Sequence, residues 1–485
     1  MKILMLTPEW VPYAKTGGLG DMVAALGKEL SAAGHEVRAF LPYYGGIKPS
    51  ADWVPWPEPV AVHLSPWQTA YCRVWTAPDA RDKLQVHFLE YNVFFASEAI
   101  YGVGNTDAYR FGFQSLAALD FCLQSGWIPD VVHAHDWTAG LAPVILNTVR
   151  RHTALRHTAS VFTVHNLQHQ GLVPADLMRY LHLPAWLYTV DNLECYGALN
   201  MMKGALYHAT QITTVSPTYA WEIQGPVHGF GLDHVLRHRA GDLTGILNGI
   251  DTRVWNPATD KLIAANYSNE KNIASGKAQN KTALQRTMQL PEETSTPVFG
   301  VVARLYEQKG LDWLADILPM LLAQARMQLV LLGNGDPWLE ARFRTLARNY
   351  PRKCAVRIGF DNTLSHLVEA GSDFFLMPSR FEPCGLNQMY SMGYGTLPIV
   401  RATGGLADTV KDWSATPDDA PTGILFSDPA PGALLGAIHR ALQLYFDSPD
   451  DFIRLRNNAL RQDFSWTNSA GRYEKVYEVA CQRVA

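Results

Sequence analysis

Two basic side chains in the second half of the chain have the spacing and surroundings of a phosphate-binding pair. Arg304 and Lys309 lie in the segment Ala303-Arg-Leu-Tyr-Glu-Gln-Lys-Gly310, which directly follows an apolar run. A guanidinium and an ammonium at the end of a strand suit a diphosphate, because both form charge-assisted hydrogen bonds with phosphate oxygens. The alternative is a pair of solvent-exposed side chains at the start of a helix.

Two glycine segments predict close approach of the backbone to an anionic ligand. The segment Lys15-Thr-Gly-Gly-Leu-Gly-Asp21 follows the first apolar run and opens a helical pattern. Gly17 and Gly18 would leave backbone amides accessible to an anion at the helix start. The spacing is not that of a Walker A loop, and the alternative is a tight turn with Asp21 as helix cap. Thr403-Gly-Gly-Leu-Ala-Asp408 repeats the arrangement, with a plain structural turn as its alternative.

A carboxylate and several backbone amides follow the apolar run at residues 373–378. Glu382 lies in the segment Ser379-Arg-Phe-Glu-Pro-Cys-Gly-Leu386, and the amides of residues 384–386 come at a predicted helix start. A carboxylate in that position can bind sugar hydroxyls, whereas the alternative is that Glu382 caps the helix. Cys384 at a helix start could be a nucleophile, but no Cys-His-Asn order is visible. Packing of a small side chain is therefore the expected role of Cys384.

Polar side chains also end two apolar runs in the first half of the chain. His133, His135 and Asp136 end one run, and His165 ends another. His133 and His135 share one face of a strand, but a catalytic zinc site usually needs a third ligand placed by the fold. We therefore expect no metal, and assign Asp136 and His165 to hydrogen bonds with a substrate. The alternative is a set of histidines that are satisfied inside the core.

These candidates require strands whose carboxyl ends place them at one edge of a sheet. Residues 2–6 predict a buried strand, the first glycine segment follows, and residues 21–33 predict a helix. The alternation of strands and helices continues and restarts at residue 297, with a helix over 310–325. We therefore predict an α/β protein of two Rossmann-like doubly wound domains that face each other across a cleft, with a boundary near residue 249.

Composition excludes several classes of protein and of site. The 485 residues carry 41 basic and 45 acidic side chains, so no net positive field would hold nucleic acid or an anionic membrane. The six cysteines lack Cys-x-x-Cys spacing, which favours reduced thiols in the cytoplasm over disulfides or a zinc ribbon. No apolar stretch approaches the roughly 20 residues that cross a bilayer. The sequence contains no Asp-x-Asp, the usual carboxylate pair of metal-dependent sugar transferases.

Taken together and in order, the motifs resemble those of bacterial glycogen synthases and plant starch synthases from residue 1 to about residue 470. The matching segments are Lys15 to Asp21, His133-Ala-His-Asp-Trp137, Val164-His-Asn166, Thr214-Val-Ser-Pro-Thr-Tyr219, Asn248-Gly-Ile-Asp251, Arg304 to Gly310, Glu382-Pro-Cys-Gly-Leu386 and Thr403-Gly-Gly-Leu406.

The resemblance implies a glycosyltransferase of the GT-B fold. An N-terminal Rossmann-like domain over 1–248 would lie on the acceptor side, a second over 249–463 on the nucleotide-sugar side, and a helix within 464–485 would cross back to the first. The implied reaction moves glucose from ADP-glucose to the nonreducing 4-hydroxyl of an α-1,4-glucan with retention of configuration. ADP is released, and neither a metal nor another cofactor is implied.

Position by position, the resemblance also implies roles for the candidate residues. Arg304 and Lys309 would neutralise the leaving ADP, and Glu382 would hold glucose hydroxyls. Asp136 and His165 would contact the transferred glucose and the acceptor side. The remaining positions would meet the phosphates, sugar or nucleotide of the donor: Lys15, Gly17, Gly18, Asp21, Cys384, Gly385, Leu386, Thr403, Gly404 and Gly405.

Two other functions compete with glucan elongation. One is a retaining GT-B transferase with a different donor or a small acceptor, as in sucrose synthases. The other is a noncatalytic glucan-binding relative, which would be expected to have lost at least one of Arg304, Lys309, Glu382 and His165. Residues 53–95 do not match the family motif for motif, and residues 181–192 match it only loosely. The acceptor contacts are therefore the part that the resemblance defines least, and oligomeric state is undefined.

Overall fold

The computed structural model describes residues 1–78, 83–102, 106–268, 271–413 and 420–485, and the chain divides into two compact units. The first unit contains Met1–Gly249 and Trp466–Ala485, and the second contains Ile250–Ser465. The division falls beside the predicted boundary at residue 249. Within the described ranges, no helix combines the length and the apolar character needed to span a membrane.

The first unit is built on a ten-stranded mixed sheet and a small three-stranded sheet. Its strands are β1 (Lys2–Leu6), β2 (Glu36–Pro42), β3 (Val54–Pro55), β4 (Val60–Ser65), β5 (Gln68–Pro78), β6 (Leu84–Glu90), β7 (Val131–His135), β8 (Ala159–Val164), β9 (Leu172–Val173), β10 (Glu194–Cys195), β11 (Ala198–Asn200), β12 (Gln211–Thr214) and β13 (Leu243–Gly245). Seven strands run parallel in the order β13-β12-β8-β7-β1-β2-β6. Strands β5, β3 and β4 add an antiparallel edge, and β10-β11-β9 form the small sheet.

Hydrophobicity along the strands explains where the parallel part of the large sheet ends. Every residue of β7, β8 and β12 is buried, as expected for strands covered by helices on both faces. In β5, Tyr71 and Arg73 are exposed and alternate with the buried Cys72 and Val74, which is the pattern of a strand with one face exposed to solvent. The predicted parallel sheet is confirmed for the first unit, but its antiparallel edge within residues 53–95 was not predicted.

Helices cover the large sheet and connect its parallel strands. They are α1 (Gly18–Ala32), α2 (Asn92–Phe95), α3 (Asp107–Ser125), α4 (Leu141–Asn147), α5 (Leu177–Tyr180), α6 (Met201–His208), α7 (Pro217–Glu222) and α8 (Asp233–His238). The C-terminal helix of the chain, Trp466–Val484, also belongs to this unit. Its buried Tyr477 places the hydroxyl 2.8 Å from Nδ1 of His133, so this helix packs directly beneath β7.

The second unit has a six-stranded sheet that is parallel throughout. It contains α9 (Ile273–Thr287), β14 (Val298–Val302), α10 (Leu311–Gln324), β15 (Gln328–Gly333), α11 (Pro337–Asn349), β16 (Cys354–Ile358), α12 (Asn362–Gly371), β17 (Phe374–Met377), α13 (Asn387–Gly393), β18 (Leu397–Arg401), α14 (Gly404–Thr409), β19 (Ile424–Phe426), α15 (Pro431–Asp447) and α16 (Pro449–Leu460). The C-terminal helix of the chain, which belongs to the first unit, is α17. The order is β16-β15-β14-β17-β18-β19. One apolar core joins this sheet to its helices. The predicted class, α/β with two Rossmann-like doubly wound units, is confirmed.

In each unit, successive strands are first added on one side of the first strand and then on its other side. In the first unit the chain runs from β1 outward to β2 and β6 and then returns to β7 on the other side of β1. In the second unit it runs from β14 to β15 and β16 and returns to β17 on the other side of β14. Open α/β sheets bind ligands at such reversals of strand order, outside the carboxyl ends of the two central strands.

Candidate active site

The charged candidate residues of each unit follow the two strands that flank its reversal of strand order, whereas His165 follows β8 and Thr403 follows β18. The segment at 7–17 follows β1, and Asp136 follows β7. In the second unit, Arg304 and Lys309 follow β14 and Glu382 follows β17. Each unit therefore presents its charged candidates at the crevice where its sheet would bind a ligand.

A buried carboxylate that the sequence analysis missed holds the first glycine segment. Glu9 is 3% exposed, and its Oε2 accepts hydrogen bonds from the backbone N–H groups of Thr16 (2.8 Å) and Gly17 (3.2 Å). Its Oε1 accepts a hydrogen bond from the hydroxyl of Tyr101 at 2.6 Å. The amide of Gly17, which was predicted to be accessible to a ligand anion, is thus bound to a carboxylate of the protein itself. The signal in the sequence was an acidic residue in the loop between the first buried strand and the glycine segment.

The exposed side of the same segment carries Lys15 and Asp21. Lys15 Nζ lies 2.6 Å from Asp21 Oδ2, and both side chains are more than a third exposed. Gly17 is the N-cap of α1, so the alternative in which Asp21 caps the helix is wrong. A Cβ atom added at Gly17 would meet nothing within 4 Å, which leaves open space in front of the loop, and Gly18 begins the helix.

Asp136 joins the ends of β7 and β8 through its carboxylate. Its Oδ1 accepts hydrogen bonds from the backbone N–H groups of His165 (2.7 Å) and Asn166 (3.4 Å). Asp136 has a φ of 57°, a backbone conformation that is strained for residues other than glycine and that clusters at functional sites. Burial raises the pKa of Asp136 to about 7, against the opposing effect of the two N–H donors.

The predicted histidines lie together behind Asp136. His135 Nδ1 is 3.1 Å from His165 Nε2, while His133 bonds to Tyr477 and, through Nε2 at 2.6 Å, to the hydroxyl of Thr163. Burial lowers the pKa of His133 and of His165 to about 3, so these rings are neutral near pH 7. Across the described part of the chain, no group of three or more His, Cys, Asp or Glu side chains is arranged to hold a metal ion.

Lys309 and Glu382 form an ion pair at the reversal point of the second unit. Lys309 Nζ lies 2.6 Å from Glu382 Oε2, and the Ser379 hydroxyl donates to the same oxygen at 2.9 Å. The Glu382 side chain is 8% exposed and that of Lys309 is 20% exposed. The helix that follows, α13, has Leu386 as N-cap without a side-chain cap, so the alternative in which Glu382 caps this helix is wrong.

Gly404 and Gly405 pack against the backbone of the Glu382 segment. A Cβ atom at Gly404 would lie 2.0 Å from the carbonyl oxygen of Glu382, and one at Gly405 would lie 2.0 Å from that of Cys384. The Gly405 N–H also donates to the Glu382 carbonyl at 3.1 Å. Close backbone contact therefore requires both glycines, whatever ligand Thr403 and its neighbours meet.

The segment after Glu382 is held by a buried glutamine. The side-chain amide of Gln388 donates to the carbonyl oxygens of Cys384 (3.1 Å) and Gly385 (3.0 Å). Gly385 has a φ of 73°, a conformation that disfavours side chains. Cys384 is 5% exposed, which agrees with the packing role expected for it. Leu386 is partly buried and is the N-cap of α13, so the helix begins where the sequence predicted a helix start.

Two arginines that the sequence analysis missed hold the loops around Lys309 and Glu382. Arg380 pairs with both oxygens of Asp312 at 2.7 Å and lies over the ring of Trp313. Arg401 donates from Nε to the Ser379 carbonyl at 2.8 Å and also to the carbonyl of Arg380. These contacts join the segment after β17 to α10 and to β18, and so hold the backbone that leads to Glu382.

Two further side chains are exposed at the carboxyl ends of strands in the second unit. Arg304 is exposed, with its guanidinium 5.7 Å from the ring centre of Tyr306, so it matches the exposed alternative more closely than Lys309 does. Phe360 is 86% exposed and follows Gly359 at the carboxyl end of β16. An aromatic ring in water at this edge is a surface on which a planar ligand can stack.

Family models match both units of the chain. The starch synthase catalytic domain matches residues 2–238, and the model of group 1 glycosyl transferases matches residues 286–458. The second match contains Arg304, Lys309 and Glu382. The first contains the loop at 15–21, Asp136 and His165.

Curated relatives match along the whole chain. Glycogen synthase 1 of Geobacter sulfurreducens is 44% identical over 483 residues, covering 98% of this chain and 96% of that protein. Glycogen synthase of an Anaeromyxobacter species is 46% identical over 487 residues, covering 98% of this chain and 99% of that protein.

Solved structures extend the comparison to the fold. The catalytic domain of starch synthase IV from Arabidopsis thaliana, bound to ADP and acarbose, is 34% identical with a TM-score of 0.90 and covers 99% of each chain. A sucrose-phosphate synthase from Thermosynechococcus elongatus is 19% identical with a TM-score of 0.58, covers 98% of each chain and shares the fold alone. With glycogen synthases matching it from end to end, the chain belongs to the family of bacterial glycogen synthases and plant starch synthases.

Proposed function

We propose that this protein elongates an α-1,4-glucan by transferring glucose from ADP-glucose to its nonreducing 4-hydroxyl, with retention of configuration and release of ADP. The observation that carries the proposal is the Lys309–Glu382 pair at the reversal point of the second unit. A cation for phosphate and a carboxylate for sugar hydroxyls stand side by side there. The full-length similarity to glycogen synthases and to a starch synthase bound to ADP and acarbose supports the same reaction.

The cations would stabilise the leaving group. As the bond between glucose and phosphate breaks, negative charge grows on the diphosphate, and Lys309 and Arg304 are the basic side chains that follow β14. Such preorganised electrostatic stabilisation is often the largest single contribution to catalysis. The chain has no Asp-x-Asp, so we assign this role to side chains instead of a metal ion and infer that turnover is metal-independent.

Sugar recognition would fall to Glu382 and the amides that follow it. The carboxylate accepts hydrogen bonds only, which suits hydroxyl donors, and it is held by Ser379 at 2.9 Å. Gly385 and Leu386 would donate backbone N–H groups to sugar or phosphate. Phe360 lies two strands from β14, about 10 Å at the usual strand spacing, and we assign it to stacking on the base of the donor.

The first unit would contribute the acceptor side. Asp136 and His165 would contact the transferred glucose, and Lys15, Asp21 and the glycines would contact the donor. Retaining glycosidases use a second carboxylate as nucleophile, about 5 Å from the first, and form a covalent intermediate. We propose front-face attack instead, in which the leaving phosphate takes the proton of the acceptor hydroxyl.

The cysteines support a cytoplasmic location for the protein, because all six are free thiols.

A transfer assay with radiolabelled donors tests the proposal against its rivals. ADP-glucose and UDP-glucose are each offered with glycogen and with a small sugar acceptor, and the labelled product is separated by size. Label from ADP-glucose in glycogen supports glucan elongation. Label only in a small product would instead indicate a sucrose-type transferase. No transfer, together with binding of glycogen, would indicate a noncatalytic relative.

A further inference from the structure

One hydrogen bond between two imidazoles decides what His165 offers to a ligand. Nδ1 of His135 lies 3.1 Å from Nε2 of His165 at the carboxyl ends of β7 and β8. His135 is completely buried, whereas His165 is partly buried. Burial lowers the pKa of both rings, to about 3 for His165, so each is neutral near pH 7 and carries a single N–H.

The direction of this bond follows from the other nitrogen of His135. Nε2 of His135 is buried and has no hydrogen-bond partner among the described residues. If His165 donated, the N–H of His135 would lie on that buried atom without an acceptor. If His135 donates, the unpartnered atom is a bare nitrogen and His165 carries its hydrogen on Nδ1. Buried N–H groups without acceptors are rarer than unsatisfied acceptors, so His135 is the donor.

Neighbouring contacts hold the His165 ring in this orientation. Asp136, the residue directly after His135, accepts the backbone N–H of His165 at 2.7 Å. Consecutive residues at the end of β7 therefore fix the ring and the backbone of His165 together. Within the described ranges, Nδ1 of His165 makes no hydrogen bond to the protein, which leaves it available to a ligand.

We propose that His135 is a positioning residue that holds His165 as the Nδ1–H tautomer, so that His165 presents a hydrogen-bond donor at the carboxyl end of β8. The identity of the acceptor as a sugar hydroxyl rests on the proposed function, whereas the tautomer does not. A donor fixed before the substrate arrives needs no reorientation during the reaction, and its benefit should fall mainly on kcat.

Nuclear magnetic resonance of the ligand-free protein tests the tautomer without any substrate. The full chain is labelled with ¹⁵N-histidine, and long-range proton–nitrogen spectra distinguish a protonated ring nitrogen from a bare one. The His165→Gln variant assigns the signals of His165 by their loss. We expect the ring proton of His165 on Nδ1 near pH 7, and a proton on Nε2 would overturn the proposal.

Variants at His135 test the consequence for turnover. His135→Leu removes the hydrogen bond, while His135→Asn keeps an amide N–H near the position of Nδ1. The matched control is His133→Asn, because His133 is equally buried on the same strand but bonds to Tyr477 and Thr163. We expect kcat to fall about tenfold in His135→Leu, the loss of one hydrogen bond, and to recover largely in His135→Asn with the His165 proton back on Nδ1.

The outcomes separate this proposal from the proposed function. An unchanged kcat in a folded His135→Leu variant would contradict the positioning role, as would an equal loss in His133→Asn. If the wild-type protein transfers no glucose, the glucan reaction fails, but the ring-proton measurement still decides the tautomer. Circular dichroism of each variant shows whether the comparison is between folded proteins.

Discussion

Breaking the ion pair between Lys309 and Glu382 is the sharpest test of the second unit's site. Two unit charges 2.6 Å apart attract by about 6 kcal/mol at an effective dielectric constant of about 20, before desolvation is subtracted. Desolvation of a carboxylate that is 8% exposed offsets much of this attraction. We therefore expect a coupling energy of about 2 kcal/mol between the two side chains in a double-mutant cycle.

The two single variants should differ in stability because the two side chains differ in burial. Lys309→Ala leaves a buried carboxylate with Ser379 as its remaining side-chain donor, and should lower the free energy of unfolding by about 3 kcal/mol. Glu382→Gln leaves an ammonium that water can reach, and should cost about 1 kcal/mol. Because the double variant contains neither charge, its cost should be smaller than the sum. Urea unfolding, with the two units fitted as separate transitions, measures all four proteins.

Activity provides the second half of the test. Lys309→Ala should lower kcat by about 100-fold with little change in the KM for glucan, because its interaction is strongest when the leaving diphosphate gains charge. Glu382→Gln should also lower kcat, because it replaces the carboxylate that we assign to the hydroxyls of the donor glucose. Arg342→Ala is the matched control, since it breaks a partly exposed pair with Asp316 in the same unit and should cost below about 1 kcal/mol without changing kcat.

Two results would refute this reasoning. Strictly additive costs in the cycle would mean that the pair is not coupled in solution. An unchanged kcat with a raised glucan KM in Lys309→Ala would place Lys309 on the acceptor side, and away from the leaving group.

Four further predictions concern other parts of the site. Excess EDTA should leave turnover nearly unchanged, and a loss restored by magnesium would contradict metal independence. The pKa of Asp136 is raised from 3.8 to about 7, so the folded state binds the proton more tightly than the unfolded state. The free energy of unfolding should therefore fall as the pH rises between these two values. Asp136→Asn should reduce this pH dependence, as measured by urea unfolding at several pH values. Glu9→Ala strands two backbone N–H groups and should cost about 2 kcal/mol by the same method, whereas Lys15→Ala should cost below about 1 kcal/mol. Phe360→Ala should raise the KM for ADP-glucose, and an unchanged value would remove the stacking role.

Short apolar runs were sufficient to predict the positions of the central strands. The run at residues 2–6 became β1 without change, and the predicted helix at 310–325 became α10 at Leu311–Gln324. Such runs are informative because a strand buried on both faces tolerates few polar residues, and glycine or proline ends it. Once the strands were placed, the residues directly after them, among them Lys309 and Glu382, followed as candidates.

Contacts between distant parts of the chain account for what the sequence did not predict. Glu9 meets the hydroxyl of Tyr101, and Lys309 meets Glu382, across separations that no local pattern encodes. The glycines at 404 and 405 fitted an anion site or a turn equally well, because the carbonyl oxygens that require them belong to another loop. The antiparallel edge formed by β3, β4 and β5 was not predicted either, because an apolar run does not specify which strands pair or in which direction they run.

The two members of the ion pair are held to different degrees, and this difference has a mechanistic consequence. The backbone at Glu382 is packed against Gly404 and Gly405, and its carboxylate is also held by Ser379, so it keeps its place when the pair breaks. Lys309 has a longer side chain that is 20% exposed. Under the proposed function, a diphosphate at the end of β14 would therefore draw away the ammonium and leave the carboxylate in place. Under the proposed function, capture of Lys309 by phosphate frees Glu382 to accept hydrogen bonds from sugar hydroxyls, so the pair couples recognition of the two halves of the donor.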